Sequence, residues 1–189
     1  TCITIYECVA PGISFSRSLS GQLNELPQMP QINSTLEYDW PTVIAAAIRP
    51  VMNVAYDTIY PSAVTIVNNK YDEIIAERSA IVNNEVITRS IEHGLAISNK
   101  IIGWIMTDGY SETRSMTYLP PPRSENPMYW EPINPGDMAN EPYWGILRPF
   151  VVTNPEQFYI DPPGFSTDTN SQIYQESKEL VEMSQNLTP

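Results

Sequence analysis

The stretch NEVITRSIEHGLAISNKIIGWIMTDG, residues 84–109, carries the most regular helical pattern in the chain. Val86, Ile87, Ser90, Ile91, Gly94, Leu95, Ser98, Ile101, Ile102 and Ile105 recur at spacings of three and four, the period of a helix with one face turned to a core. Asn83-Asn84 marks its start and Thr107-Asp108-Gly109 its stop, where glycine accepts the left-handed backbone that other residues resist. Gly94 and Ser98, small residues four apart on that face, predict a neighbouring helix at close range.

Upstream, Asp39-Trp40-Pro41-Thr42 opens another helix: aspartate caps by accepting a backbone N–H, and proline in the first turn sacrifices no helical bond. Its stripe is Ile44, Ala47, Ile48, Val51, Ala55 and Ile59, with a kink expected at Pro50 and a stop at Pro61. A further helix over 62–80 turns Val64, Val67, Tyr71 and Ile74 or Ile75 inward. Residues 1–38 read as an irregular lead-in in which Ile3, Ile5, Tyr6 and Val9 suggest one short extended segment. The expected helices are therefore 40–60, 62–80, 84–107 and 167–185, the last with Ile173, Tyr174, Leu180 and Val181 inward and a Lys178–Glu182 pair. The domain they build spans 39–189. Thr188-Pro189 has the form of a cap and first residue of one more helix.

Between these helices lies a long Pro/Trp-rich loop, residues 110–166. Eleven of the 18 prolines fall between Pro120 and Pro163, in company with Trp130 and Trp144, which predicts a stiff, ordered crossing rather than a flexible linker. Trp130, Tyr143, Trp144 and Phe150 offer stacking faces and Arg123 and Arg148 offer anion contacts. The preferred reading is that the rings cap the helical core. The fold class is all-α.

Composition narrows the function. The 22 acidic and 10 basic side chains leave a net charge of −12, which argues against nucleic-acid partners and against an anionic membrane surface. No run approaches the ~18 apolar residues of a membrane span. Cys2 and Cys8 are compatible with a small disulfide loop in an oxidising compartment and equally with two free thiols. The chain starts at Thr rather than Met, which favours a processed, exported protein, secreted or periplasmic. Asn33-Ser34-Thr35 matches a glycosylation acceptor, relevant only in a eukaryotic secretory setting.

Chemistry-bearing motifs are scarce. The chain has one histidine, His93, placed off the apolar stripe and read as a solvated surface residue. Glycine-rich phosphate loops, Gly-x-Ser-x-Gly and His-Glu-x-x-His are absent. Acid pairs such as Asp72-Glu73 and Glu176 with Glu179 fall on faces expected to be solvated.

A series of short pieces nonetheless runs in a characteristic order: Trp40-Pro41-Thr42-Val43, Arg89-Ser90-Ile91 with Gly94 and Ala96, Trp104 with Thr107-Asp108-Gly109, Tyr118 with Pro120-Pro121, Trp130 with Pro132, Pro142-Tyr143-Trp144-Gly145, Arg148-Pro149-Phe150, and Asn186-Leu187-Thr188-Pro189. From about Asp39 onward the chain resembles bacterial vanadium-dependent haloperoxidase-related proteins of the PAP2 acid-phosphatase superfamily. The resemblance implies an N-terminal helical bundle whose Pro/Trp loop crosses toward a second bundle. In that family the second bundle holds vanadate, or phosphate in the phosphatases, through a lysine, an Arg-Pro arginine, a Ser-Gly-His element and a later arginine and histidine, because a multiply charged oxyanion needs several cationic donors.

This chain departs from that pattern. Its Arg-Pro pairs are Arg49-Pro50 and Arg148-Pro149, but Thr42 and Glu141 stand where the family has lysine seven positions earlier, and Ala45 or Ala46 stands where asparagine is common. No catalytic, cofactor-binding or metal-binding residue is carried over, and vanadate is expected only in the complete family member. The expected partner is the missing C-terminal catalytic half, in cis or as a separate chain, with a homo-oligomer also open. Rival readings are a non-enzymatic extracellular helical binding or structural module and a fragment of a PAP2-type phosphatase.

Overall fold

The computed structural model describes residues 1–56 and 60–187. Its helices are α1 (Cys2–Val9), α2 (Trp40–Tyr56), α3 (Pro61–Ser79), α4 (Asn84–Ile105), α5 (Tyr110–Arg114) and α6 (Gln172–Gln185), with short 3₁₀ turns at Ala10–Gly12, Trp144–Ile146 and Pro155–Phe158. Among the described residues there is no strand, only an isolated bridge between Ser20 and Leu23. The fold is all-α. It divides into two compact units, residues 1–116 with 143–153, and residues 117–142 with the chain from 154 onward.

In the first unit α2 packs chiefly on α4, with α1 and α3 laid against α2. The approach of α2 to α4 is set by Gly94. A Cβ there would stand 2.4 Å from the Val43 carbonyl oxygen and 2.8 Å from the Ala46 Cβ, so only hydrogen lets the two backbones meet. The core around this crossing is Cys8, Leu26, Met29, Val43, Ala47, Val51, Ile97, Ile101 and Trp104. Asn83 caps α4 by accepting from the Glu85 N–H at 2.8 Å, and Gly109 takes φ +93° beyond its end.

Several expectations are corrected. The segment from Cys2 to Val9 is helical, not extended. Its buried face is Thr4, Glu7 and Cys8, at helical spacing, while Ile5 and Tyr6 face outward. Polar residues on the inner face hid the period. Glu7 is satisfied there by accepting the Leu19 N–H at 2.6 Å. Leu26 and Met29 also enter the core, so residues 1–38 are part of the body rather than a lead-in. Cys2 and Cys8 are both free thiols, and six residues along a helix separate their Cα atoms by about 9 Å, beyond disulfide reach.

Further along, α2 runs through Pro50 to Tyr56, and Ile59 lies outside the described residues. Pro61 is the first residue of α3 rather than a stop, the position where its missing N–H costs nothing. No residue of α3 is fully buried; Val64, Val67, Tyr71, Ile74 and Ile75 are half-buried. Arg49 stacks on Tyr71 at 4.0 Å and Asn53 donates to Asn68 at 3.2 Å, fastening α3 to α2.

In the second unit α6 begins at Gln172 because Asp168 to Ser171 form a turn: the Asn170 N–H donates to the Asp168 carboxylate at 2.9 Å and the Ser171 N–H to the Asp168 carbonyl at 3.0 Å. Lys178 pairs with Glu182 at 3.7 Å. Tyr174, Leu180 and Val181, expected inward, are exposed, and no described residue of the second unit is fully buried. Ile173, expected inward with them, is half-buried. Thr188 and Pro189 lie outside the described residues.

Gly94→Ala is expected to destabilise the protein by about 1–3 kcal/mol through overpacking. Gly103→Ala, on the same helix with no atom within 4 Å of an added Cβ, should stabilise it by up to about 1 kcal/mol through helix propensity. Urea unfolding of the two variants checks both signs.

Candidate functional site

Three polar nodes lie inside the first unit. At the first, Asp39 caps α2: its Oδ2 accepts from the Thr42 N–H at 3.1 Å and from the Thr42 hydroxyl at 2.6 Å. Arg78 from α3 donates to the same carboxylate through Nη2 at 2.6 Å and Nε at 3.1 Å, and the Asp39 N–H donates to Ser90 Oγ on α4 at 2.8 Å. One residue thus ties three helices. Burial by itself would raise the Asp39 pKa, but the hydrogen bonds from Arg78 and Thr42 and the Arg78 charge outweigh it and hold the carboxyl below 3.8. Thr42, standing where the resemblance has a lysine, is fully buried and spends its hydroxyl on this cap.

The second node corrects the reading of His93. It is 7% exposed, not solvated, because it shares a face with Ser90 and Ile97 at spacings of three and four. That spacing was visible; the assumption that a polar residue lies off the buried stripe concealed it. The ring packs on Tyr38 with centroids 5.4 Å apart, and Tyr38 stacks on Trp40 at 5.9 Å. Burial lowers the His93 pKa from 6.5, and Nε2 has no hydrogen-bond partner among the described residues. The Cys8 thiol is likewise held out of reaction, pushed up to about 12 by burial and then by the neighbouring Glu7 carboxylate.

The third node is Arg148, whose side chain is 10% exposed. Nη2 donates to the Trp104 carbonyl, and Nη1 to the Thr107 carbonyl at 3.1 Å, the Thr107 hydroxyl at 3.0 Å and Glu25 Oε2 at 2.8 Å. The guanidinium also lies 5.1 Å from the centre of the Trp104 ring. Arg148 therefore caps the C-terminal end of α4, where free carbonyls and the helix dipole favour a cation. Around it the Trp104 indole donates to the Asn24 carbonyl at 2.9 Å, and the Asn24 amide donates to the carbonyls of Pro149 at 2.8 Å and Val152 at 3.1 Å. These bonds hold residues 148–152 against the segment around Asn24. Phe150 packs on Trp104, ring centres 5.8 Å apart.

In the second unit, Tyr118, Trp130, Ile133, Asn134, Asp137 and Met138 help to line an open cleft of about 590 Å³. Asp137 accepts from the Asn134 amide at 2.8 Å. Arg123, a candidate anion contact, donates to Glu131 at 3.1 Å and to the Pro127 carbonyl. Trp130, Trp144 and Phe150 are all substantially exposed, Tyr143 is half-buried, and the expectation that the loop rings cap the core is met in the contact of Phe150 with Trp104. Among the described residues no three His, Cys, Asp or Glu side chains group as metal ligands. No described helix is long and apolar enough to cross a membrane.

The geometry defines a helical body in which Asp39, Arg78 and Arg148 are committed to helix caps and interhelical bonds. The chain is similar to a solved bacterial vanadium-dependent iodoperoxidase, with 25% identity and a TM-score of 0.79 over 99% of this chain. It spans 45% of that protein's length. No protein-family description and no curated protein matches the chain.

The residues present do not fit vanadate. Arg148 is bonded to the Trp104 and Thr107 carbonyls and paired with the Glu25 carboxylate; Arg49 stacks on Tyr71; Arg123 is paired with Glu131. The sole histidine is buried against Tyr38, and burial lowers its pKa.

Two outcomes follow. Because the folded pKa of Asp39 lies below its unfolded value, its stabilisation is present above pH 3.8 and is lost as pH falls through the folded pKa. His93 is also depressed, so the unfolded state takes its proton first and stability declines as pH drops below 6.5. His93→Phe should flatten the stability profile just below pH 6.5 and leave the acid limb near Asp39 intact, while Asp39→Asn does the reverse; denaturant midpoints from pH 3 to 8 check this. Arg148→Met is expected to cost about 2–3 kcal/mol, since hydrogen bonds from a charged donor are lost and carbonyls at the end of α4 stay dry. Arg148→Lys should recover only part, because an ammonium cannot fork across Trp104 and Thr107. Amide exchange at Asn24, whose N–H donates to the Phe150 carbonyl at 2.8 Å, reports the loosening.

Proposed function

We propose that this chain is the N-terminal helical half of a vanadium-dependent haloperoxidase-like protein, within the PAP2 superfamily, serving as the scaffold on which a separate oxyanion-binding half is mounted. The observation that carries the reading is the match of nearly the whole chain, at a TM-score of 0.79, to less than half of an iodoperoxidase. The peroxidase branch is favoured over the phosphatase branch by the identity of that similar structure. Peroxide-dependent halide oxidation then belongs to the complete protein, whose cationic pocket lies in the other half. The internal commitment of Arg148 and Arg123 supports the same division, since both guanidinium groups are occupied with bonds inside this chain.

The test is the intact mass of the natural protein together with its activity. A species well above 21.3 kDa that oxidises iodide with peroxide only after orthovanadate is added is the expected result, with the 189-residue chain inert in the same assay. A natural protein of 21.3 kDa, or a larger one without vanadate-dependent iodide oxidation, overturns the proposal.

A further inference from the structure

The second unit has a composition at odds with standing alone. Leu119, Ile133, Met138, Phe158, Ile160 and Leu180 are all exposed, and no described residue of the unit is fully buried. Helix α6 leaves Leu180, Val181 and Met183 exposed, while Ile173 is half-buried. So much apolar surface on segments stiffened by proline is the composition of an interface, since scattered exposure is ordinary but a whole unit without a core is not. Its charge is equally one-sided. Residues 117–142 and 154–189 carry ten acidic side chains against Arg123 and Lys178, a net of −8 from the chain total of −12. Both basic residues are already paired within the unit, with Glu131 and Glu182.

We infer that this acidic, apolar unit is the docking surface for a cation-rich body, the remainder of the same polypeptide. The inference rests on the function proposed above and adds the electrostatic character of the joint. A binder of a multiply charged oxyanion must concentrate arginine, lysine and histidine, and Arg78, Arg123, Arg148 and Lys178 of this chain are spent on internal partners. The missing donors therefore sit in the other half and give it positive potential. An acidic face screens that potential outside the pocket while its rings and aliphatic side chains exclude water from the joint. The commitment to the same polypeptide follows from the similar iodoperoxidase, a single chain of which this one spans 45%.

Hydroxyl-radical footprinting and carbodiimide cross-linking of the natural protein, after its intact mass is known, test the joint. Met138 and Met183 are 89% and 58% exposed here, against 54% for Met106 in the first unit. Docking reverses that order: Met138 and Met183 label at least threefold more slowly than Met106, and Asp137, Glu176 or Glu179 cross-links to lysines outside residues 1–189. Replacing Glu176, Glu179 and Glu182 by Gln should raise the labelling of Met183 at least twofold at low salt. A protein larger than 21.3 kDa in which Met138 and Met183 label faster than Met106 overturns the docking surface and leaves the proposed function standing. Cross-links from the second unit only to another copy of residues 1–189 overturn it in favour of self-association. A natural mass of 21.3 kDa overturns both.

Discussion

The contact on which the structure depends is the backbone approach of α4 to α2 at Gly94. With the Val43 carbonyl 2.4 Å from where a Cβ would be, and Ala46 facing it, the two helices meet through their main chains rather than through side chains. That distance lets Ser90 reach the Asp39 N–H at one end of the crossing and brings Ile97 and Ile101 onto Val43, Ala47 and Val51 along it. The helix α1 then has a fixed groove to fill, and Thr4, Glu7 and Cys8 go into it because the site demands small or hydrogen-bonded groups more than apolar ones.

The polar interior follows from the same geometry. Helices packed this tightly expose their ends to one another, and each end needs a donor or acceptor. Asp39 and Arg78 serve the start of α2, and Arg148 serves the end of α4. The guanidinium that an Arg-Pro motif suggests for anion binding is thus claimed by carbonyl oxygens, which offer a cation the same attraction at the end of a helix dipole. The second unit contrasts with this economy: its carboxylates and rings face outward, and the few cations it has are tied to its own acids.

What could be read in the residues alone were the features whose cause is local. The caps at Asp39 and Asn83, the stop at Gly109, the stripe of α4 and the need for a small residue at Gly94 depend on a few neighbouring positions and on helical period. The order of Trp-Pro, Arg-Ser, Trp-Gly and Arg-Pro-Phe pieces also pointed to a peroxidase-like half-body, in line with the similarity to an iodoperoxidase. Tertiary packing decided the rest. Whether Glu7 and His93 are buried depends on what lies across from them, since a buried polar group is tolerated wherever a partner or an aromatic wall is supplied from elsewhere in the chain. Whether Leu180 is covered depends on the presence of an opposing surface, which no period within α6 can reveal. Local sequence sets which backbone shapes are cheap; only the assembled fold sets which surfaces meet, because desolvation is a property of both sides of a contact.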